Sequence, residues 1–307
     1  MTKHIIVDFY RLSIHKGGSI GFEDVAQQVS TLNIEDRVVE INNCPVWLYE
    51  FCREDRYLVG DIIKLRMQNL PSRGSRTGSI KDFDFLDDEG VSEHVAFFYH
   101  IDTQVLLLQR IQGGVDMGNF ANYFEQLYSL QLDNVQTSSS ISIIDKDILD
   151  IDAIKQLDRV KEVHHYEIKV ARPDNLDEFI EVDDTVQELF RINEKLNSLT
   201  IGAEFSIGNN KNTSISLKDV IKITKSLLRI NNHDPGKVKK ITARALEEGA
   251  KNSRSFNFLS NIVKEVVDIN VSTRSKVLPY SARVEGLKEA WGRRQQQLND
   301  MFLSLKH

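Results

Sequence analysis

The sequence predicts an α+β fold: largely antiparallel sheets with helices packed on one face, closed by a long C-terminal amphipathic helix. Three observations carry that reading. Residues 92–130, SEHVAFFYHIDTQVLLLQRIQGGVDMGNFANYFEQLYSL, read as strand, turn, strand, Gly-Gly break and helix. Successive strand candidates are separated by turn chemistry such as Asp102-Thr103, Asn42-Asn43 and Glu54-Asp55, and connections this short make antiparallel hairpins. From Pro279 onward, Val284, Leu287, Trp291, Leu298, Met301, Phe302 and Leu305 form one apolar stripe, the mark of a helix with a single buried side.

The elements follow in order. Residues 4–14 form a first strand, with Ile5, Val7 and Phe9 alternating against Ile6, Asp8 and Tyr10. After a loop holding Gly17, Gly18 and Gly21, a helix over 22–32 sets Phe22, Val25, Ala26 and Val29 at helical spacing. Residues 38–41, 46–52 and 57–67 read as three more strands. The loop 70–80, LPSRGSRTGSI, is long and rich in small residues and carries Arg73 and Arg76, which marks it as a candidate functional loop. The run 82–89, DFDFLDDE, interleaves five acidic residues with Phe83, Phe85 and Leu86. The basic loop and the acidic run read as mutual surface pairs.

In the central unit, VAFFYHI over 95–101 suits a half-buried pleated surface, and VLLLQ over 105–109 suits a strand buried on both faces. Gly113-Gly114 reads as a strand-to-helix turn, because its spacing matches no phosphate-binding loop. Asp116 is the expected N-cap of a helix whose stripe is Phe120, Tyr123, Phe124, Leu127 and Tyr128.

The polar, serine-rich residues 133–140 suggest a linker, hence two domains, 1–134 and 135–307. Beyond it come a strand over 140–144, a helix over 151–157 and a strand over 160–170, which Arg172-Pro173-Asp174 ends. A helix over 185–196, a strand over 199–207 and a turn over 208–213 follow. Ser216 then opens a helix reaching 228, with Asp219 at capping-box spacing. In the strand 237–245, Val238, Lys240, Thr242 and Arg244 alternate against Lys239, Ile241, Ala243 and Ala245, so its exposed face is basic. Apolar runs at 256–263 and 267–277 precede the final helix. Its stripe either docks on its own domain or pairs with a second copy.

Hydrophobic residues make up 41% of the 307 and charged residues 27%, ordinary values for a globular chain. A net charge of −6 argues against an electrostatic grip on nucleic acid by the whole surface and leaves room only for a local basic patch. The two cysteines, Cys44 and Cys52, are too few for a disulfide framework or a zinc site and read as buried thiols in a reducing compartment. The N-terminal segment lacks a long apolar signal region, and no window approaches the roughly 18 apolar residues of a membrane span. The expectation is a cytoplasmic protein that meets a membrane only through a partner.

Catalytic motifs are scarce. There is no nucleophile elbow, phosphate loop, zinc spacing or dinucleotide fingerprint. His164 and His165 are adjacent in a strand and face opposite ways, and His94 and His100 share a face by parity. Glu167-Ile168-Lys169 is one half of a metal-dependent nuclease arrangement, in which acidic residues hold Mg²⁺ and the lysine positions water. The other half would come from Asp147, or from its neighbours Asp145, Asp150 and Asp152.

Three stretches, VDFYRLSI (7–14), LDDEGVSEHVAFFYHIDTQVLLLQR (86–110) and YEIKVARPDNLD (166–177), together resemble a group of uncharacterised bacterial proteins. These occur in mobile or prophage-borne islands, and some are linked to anti-phage defence. More faintly, the chain is similar to the DNA-binding subunit of the Kiwa defence system. The resemblance implies a prokaryotic cytosolic protein and a protein partner within a multi-gene defence system. It carries over no catalytic residue.

The function expected from all this is a non-enzymatic defence or regulatory component that binds nucleic acid or a partner protein, without a cofactor. Its candidate nucleic-acid contacts are Arg73, Arg76, Lys237, Lys239, Lys240, Arg244, Arg293 and Arg294. The alternatives are an Mg²⁺-dependent nuclease built on Glu167, Lys169 and Asp147, and a homo-oligomeric scaffold joined through the C-terminal helix.

Overall fold

The computed structural model describes residues 2–15, 20–68, 70–133, 141–171, 183–208, 213–234, 236–250, 252–270 and 277–303. The chain divides into two compact units, and the division is not linear. Unit 1 comprises Met1–Lys146 and Lys264–Leu303, while unit 2 centres on Asp147–Val263. The fold is α+β with antiparallel pairing and a long C-terminal helix, as the sequence predicts.

Unit 1 is built on β1 (Thr2–His15), β2 (Val39–Ile41), β3 (Cys44–Glu54), β4 (Tyr57–Arg66), β7 (Val91–His100), β8 (Val105–Arg110), β9 (Ser142–Asp147) and β14 (Lys264–Asn270). The strand order is β14-β1-β8-β7-β4-β3-β2, with β9 also paired to β1. A separate two-stranded hairpin, β5 (Arg73–Gly74) and β6 (Ile80–Lys81), lies between β4 and β7 in the chain. The expected central strand, β8, is buried over Val105–Gln109.

Among the described residues three helices cover this sheet: α1 (Phe22–Ser30), α2 (Met117–Asp133) and α5 (Tyr280–Phe302). Sequence reasoning put the helices on one face; in unit 1 they occupy both. Adjacent residues of a strand point to opposite sides, and β7 shows it. Phe97 meets Phe120 and Phe124 of α2, while Phe98 meets Trp291 of α5. All five residues of the α2 stripe are buried, and Asp116 caps the helix by accepting from the Asn119 amide at 2.8 Å.

The C-terminal helix therefore docks on the first unit, which corrects the expected boundary at 134/135. The physical reason is long-range pairing: β14 runs antiparallel along β1, Thr2 opposite Asn270, and carries the chain back to the first sheet. The stripe residues Val284, Leu287, Trp291, Leu298, Met301 and Phe302 are buried there, so this surface is not available to a second copy; Leu305 lies outside the described residues. The cysteine expectation also fails: Cys44 is half-buried and Cys52 exposed, both as free thiols.

Unit 2 holds a four-stranded sheet in the order β11-β10-β12-β13, from β10 (Val160–Ala171), β11 (Thr200–Ser206), β12 (Val238–Glu247) and β13 (Arg254–Asn257). One face is packed by α3 (Asp184–Lys195), α4 (Leu217–His233) and a 3-10 helix, Ile151–Arg159, around Tyr166, Ile168, Val170, Ile241 and Ala243. Short 3-10 turns also follow α1 and β13. Ser216 caps α4 by accepting from the Asp219 amide at 3.4 Å. The Arg172-Pro173-Asp174 stop and most of the 133–140 linker lie outside the described residues.

Candidate functional site

Among the described residues no helix packs on the second face of the unit 2 sheet. Alternation along β10 sends Tyr166, Ile168 and Val170 into the core and leaves His165, Glu167 and Lys169 on the other side. On β12, Ile241, Ala243 and Ala245 are buried, and Lys240, Thr242 and Arg244 stand opposite. Lys169 is registered against Lys240, Glu167 against Thr242, and His165 against Arg244. From the other neighbour, Glu204 of β11 faces Glu167.

One departure from simple alternation shapes this face. The β10–β12 register shifts between Lys169 and Val170, so that Val238 pairs with Val170 and Lys240 with Lys169. Lys239 is the extra residue of a β-bulge. That corrects the sequence reading of the strand: Val238 joins the buried side, and Lys239 stands outside the ladder. Sequence alternation alone gives no signal of an inserted residue.

Like charges directly opposite one another destabilise a sheet, and here Lys169 opposes Lys240 while Glu167 opposes Glu204. Diagonal contacts relieve part of this. The Lys240 Nζ lies 2.6 Å from the Glu167 carboxylate, and His165 stands 3.9 Å from Glu167 and 3.6 Å from Glu204. The hydrogen bond from Lys240 holds the Glu167 carboxyl below its ordinary range. Lys169 and Arg244 remain exposed, and among the described residues neither has a carboxylate partner.

The other predicted contacts scatter. Lys237 is half-buried and paired to Asp234 at 3.5 Å. Arg293 and Arg294 both bind Glu265 of β14, at 3.4 and 2.6 Å, and so fasten α5 to its sheet. Arg73 and Arg76 are exposed on the β5–β6 hairpin of unit 1. Their expected surface pairing with the acidic run does not form among the described residues.

Among the described residues the nuclease arrangement is not assembled. Glu167 and Lys169 do share a face, but the strands flanking β10 are β11 and β12. Asp145 and Asp147 belong to β9, which pairs with β1 in the other sheet, and Asp150 hydrogen-bonds through its backbone to Asn261. The Asp152 side chain lies outside the description. Among the described residues no group of three acidic, histidine or cysteine side chains is placed to hold a metal ion. His164 and His165 take different partners, His164 meeting Glu162 and Ser253.

Sequence reasoning missed one buried constellation. Asp61 of β4 is 1% exposed and receives both Nη groups of Arg283 from α5, at 2.6 and 2.8 Å. His94 Nδ1 lies 2.9 Å from the same carboxylate, and its Nε2 lies 3.4 Å from the Ser92 hydroxyl. The connectivity is that of a serine–histidine–aspartate relay, but the charges argue against that chemistry. The bidentate Arg283 contact neutralises the carboxylate that would support His94, and the Ser92 contact is at the outer limit of a hydrogen bond. Burial is the strongest influence on Asp61 and raises its pKa, yet hydrogen bonds from Arg283 and His94 outweigh it and hold the carboxyl below its ordinary range. His100, on the same face of β7, instead stacks on Trp291 at 4.5 Å and meets Thr103.

Fold and surface thus define a two-unit antiparallel α+β protein whose most distinctive feature is a charged sheet face on which, among the described residues, no helix packs. The chain belongs to the DUF6731 family, a family of unknown function whose model matches residues 3–294. No curated protein matches it. Among the described residues no helix is long and apolar enough to cross a membrane.

Proposed function

We propose that this protein is a non-enzymatic nucleic-acid-binding component that grips phosphates through the charged face of its four-stranded sheet. The observation that carries the reading is the register of Lys169 against Lys240, with Arg244 on the same face. Lys169 and Arg244 are cations without an internal counterion among the described residues. A phosphate backbone would supply the missing negative charge and relieve the opposed lysines. Among the described residues the face presents no Phe, Tyr or Trp, so they offer no aromatic platform for stacking bases. Binding is therefore expected to be indifferent to sequence. The working place is the cytoplasm, and the setting is the multi-gene antiviral defence system that the sequence resemblance implies.

The test is a mobility-shift titration of the full chain on single- and double-stranded DNA and RNA at several salt concentrations. Binding should weaken steeply with salt. Lys169→Glu with Arg244→Glu should lower affinity at least tenfold and reduce the log–log salt slope by about 2, one unit for each lost phosphate contact. Unchanged affinity and slope in that variant, or no binding by the natural sequence, would overturn the proposal.

A further inference from the structure

The described residues between β4 and β7, 67–68 and 70–90, leave the unit 1 sheet and return to the point of departure. Arg66, the last residue of β4, is registered directly against Val91, the first of β7. A two-residue turn joins strands so placed, yet 24 residues intervene. Connections of that length are uncommon unless they serve a function.

The excursion keeps its apolar and charged groups in water. Ile80 is 75% exposed, Leu86 69% and Phe83 41%, with Phe83 and Phe85 packed on each other at 5.3 Å. The hairpin half is cationic, with Arg73, Arg76 and Lys81. The following half is anionic, with Asp82, Asp84, Asp87, Asp88 and Glu89. All eight are exposed. Among the described residues no ion pair joins the two halves; Glu89 instead accepts from the Leu86 amide at 3.0 Å.

We propose that residues 70–90 form a docking arm through which two copies of this chain associate. A segment with separated cationic and anionic halves is complementary to itself. A two-fold axis sets the hairpin of each copy on the acidic half of the other and makes both contacts at once. Phe83 and Leu86 are then covered at the centre of the contact, where desolvated apolar anchors contribute most. The arm's length also fits the roughly 20–30 residues a side of an ordinary interface. This inference uses none of the residues of the charged sheet face and stands or falls separately from the nucleic-acid reading.

The experiment is light scattering on the full chain over a range of concentrations at low and physiological salt. A dimer that grows with concentration and weakens with salt is expected. Phe83→Ser with Leu86→Ser should weaken it at least tenfold. Arg73→Glu with Arg76→Glu, and separately Asp84→Arg with Asp87→Arg, should each give a monomer. Mixed one to one, these two charge-reversed proteins should associate again, because each supplies the sign the other now lacks. An unchanged thermal melting curve checks that every variant is folded. A monomer at all concentrations, a dimer indifferent to these substitutions, or two charge-reversed variants that ignore each other would overturn the proposal.

Discussion

At the scale of single residues, the group on which most depends is Asp61. Its carboxylate is buried and neutralised by Arg283, so removing one partner strands the other charge. Asp61→Ala or Arg283→Ala should each cost about 3–5 kcal/mol in chemical denaturation, whereas Asp61→Leu combined with Arg283→Met should recover most of that loss. The pH dependence has a definite sign. The folded-state pKa lies below the ordinary value of 3.8, so the unfolded chain binds the proton first. The contribution is complete above that ordinary value and is lost as pH falls through the folded one. Stability of the natural sequence should therefore drop below about pH 4, and less steeply in the Leu/Met double variant. Equal slopes in the two proteins would remove Asp61 from the account. Sequence reasoning did not single out this pair because its partners are 222 positions apart, and an aspartate inside a strand pattern looks like any solvated residue until its neighbour is known.

At the scale of elements, the stripes and caps were legible and the partners were not. The α2 stripe, the caps at Asp116 and Ser216 and the final helix all follow from local spacing, and each appears where the spacing puts it. The bulge at Lys239 and the helices on both faces of unit 1 depend on which strand lies alongside, which no local pattern states. Of the candidate contacts, Lys240 and Arg244 were correctly placed on an exposed face. Arg293 and Arg294 were not recognisable as fasteners of α5, because their partner Glu265 lies on another element. At Gly286 that helix packs tightly on Ile5 and Ile269 of the sheet. A Cβ there would stand 2.6 Å from Ile5 Cδ1 and 2.9 Å from Ile269 Cδ1. Gly286→Leu should therefore overpack the contact and cost about 1–3 kcal/mol, measured as a lower denaturation midpoint. At the other unit's helix, Ser216→Ala should cost about 1 kcal/mol by removing its capping oxygen.

At the scale of the whole molecule, unit 2 is an insertion in unit 1. The chain leaves the first sheet after β9 and re-enters it at β14, and the two ends of the excursion meet. Leu149 bridges Ile262, and the Val263 amide donates to the Ile148 carbonyl at 2.7 Å. Ends this close are the condition under which a domain can be inserted or removed without disturbing its host. A linear reading could place a boundary only where composition changes, near 133–140. It could not show that residues 264–303 belong with the first 146, because that follows from strand pairing across the length of the chain. Replacing residues 149–262 by a short Gly-Ser linker should leave unit 1 with its own cooperative melting transition, since β1, β8, β7 and β4 keep their partners and α5 keeps its sheet. The same excision separates the two proposed activities: nucleic-acid binding should vanish with the charged sheet face, and salt-sensitive dimerisation through residues 70–90 should persist. Circular dichroism, light scattering and mobility shift on the excised chain read all three outcomes. A chain that fails to fold would show that the insertion is part of its host's stability. A folded chain that still binds nucleic acid would move the binding surface from unit 2 to unit 1.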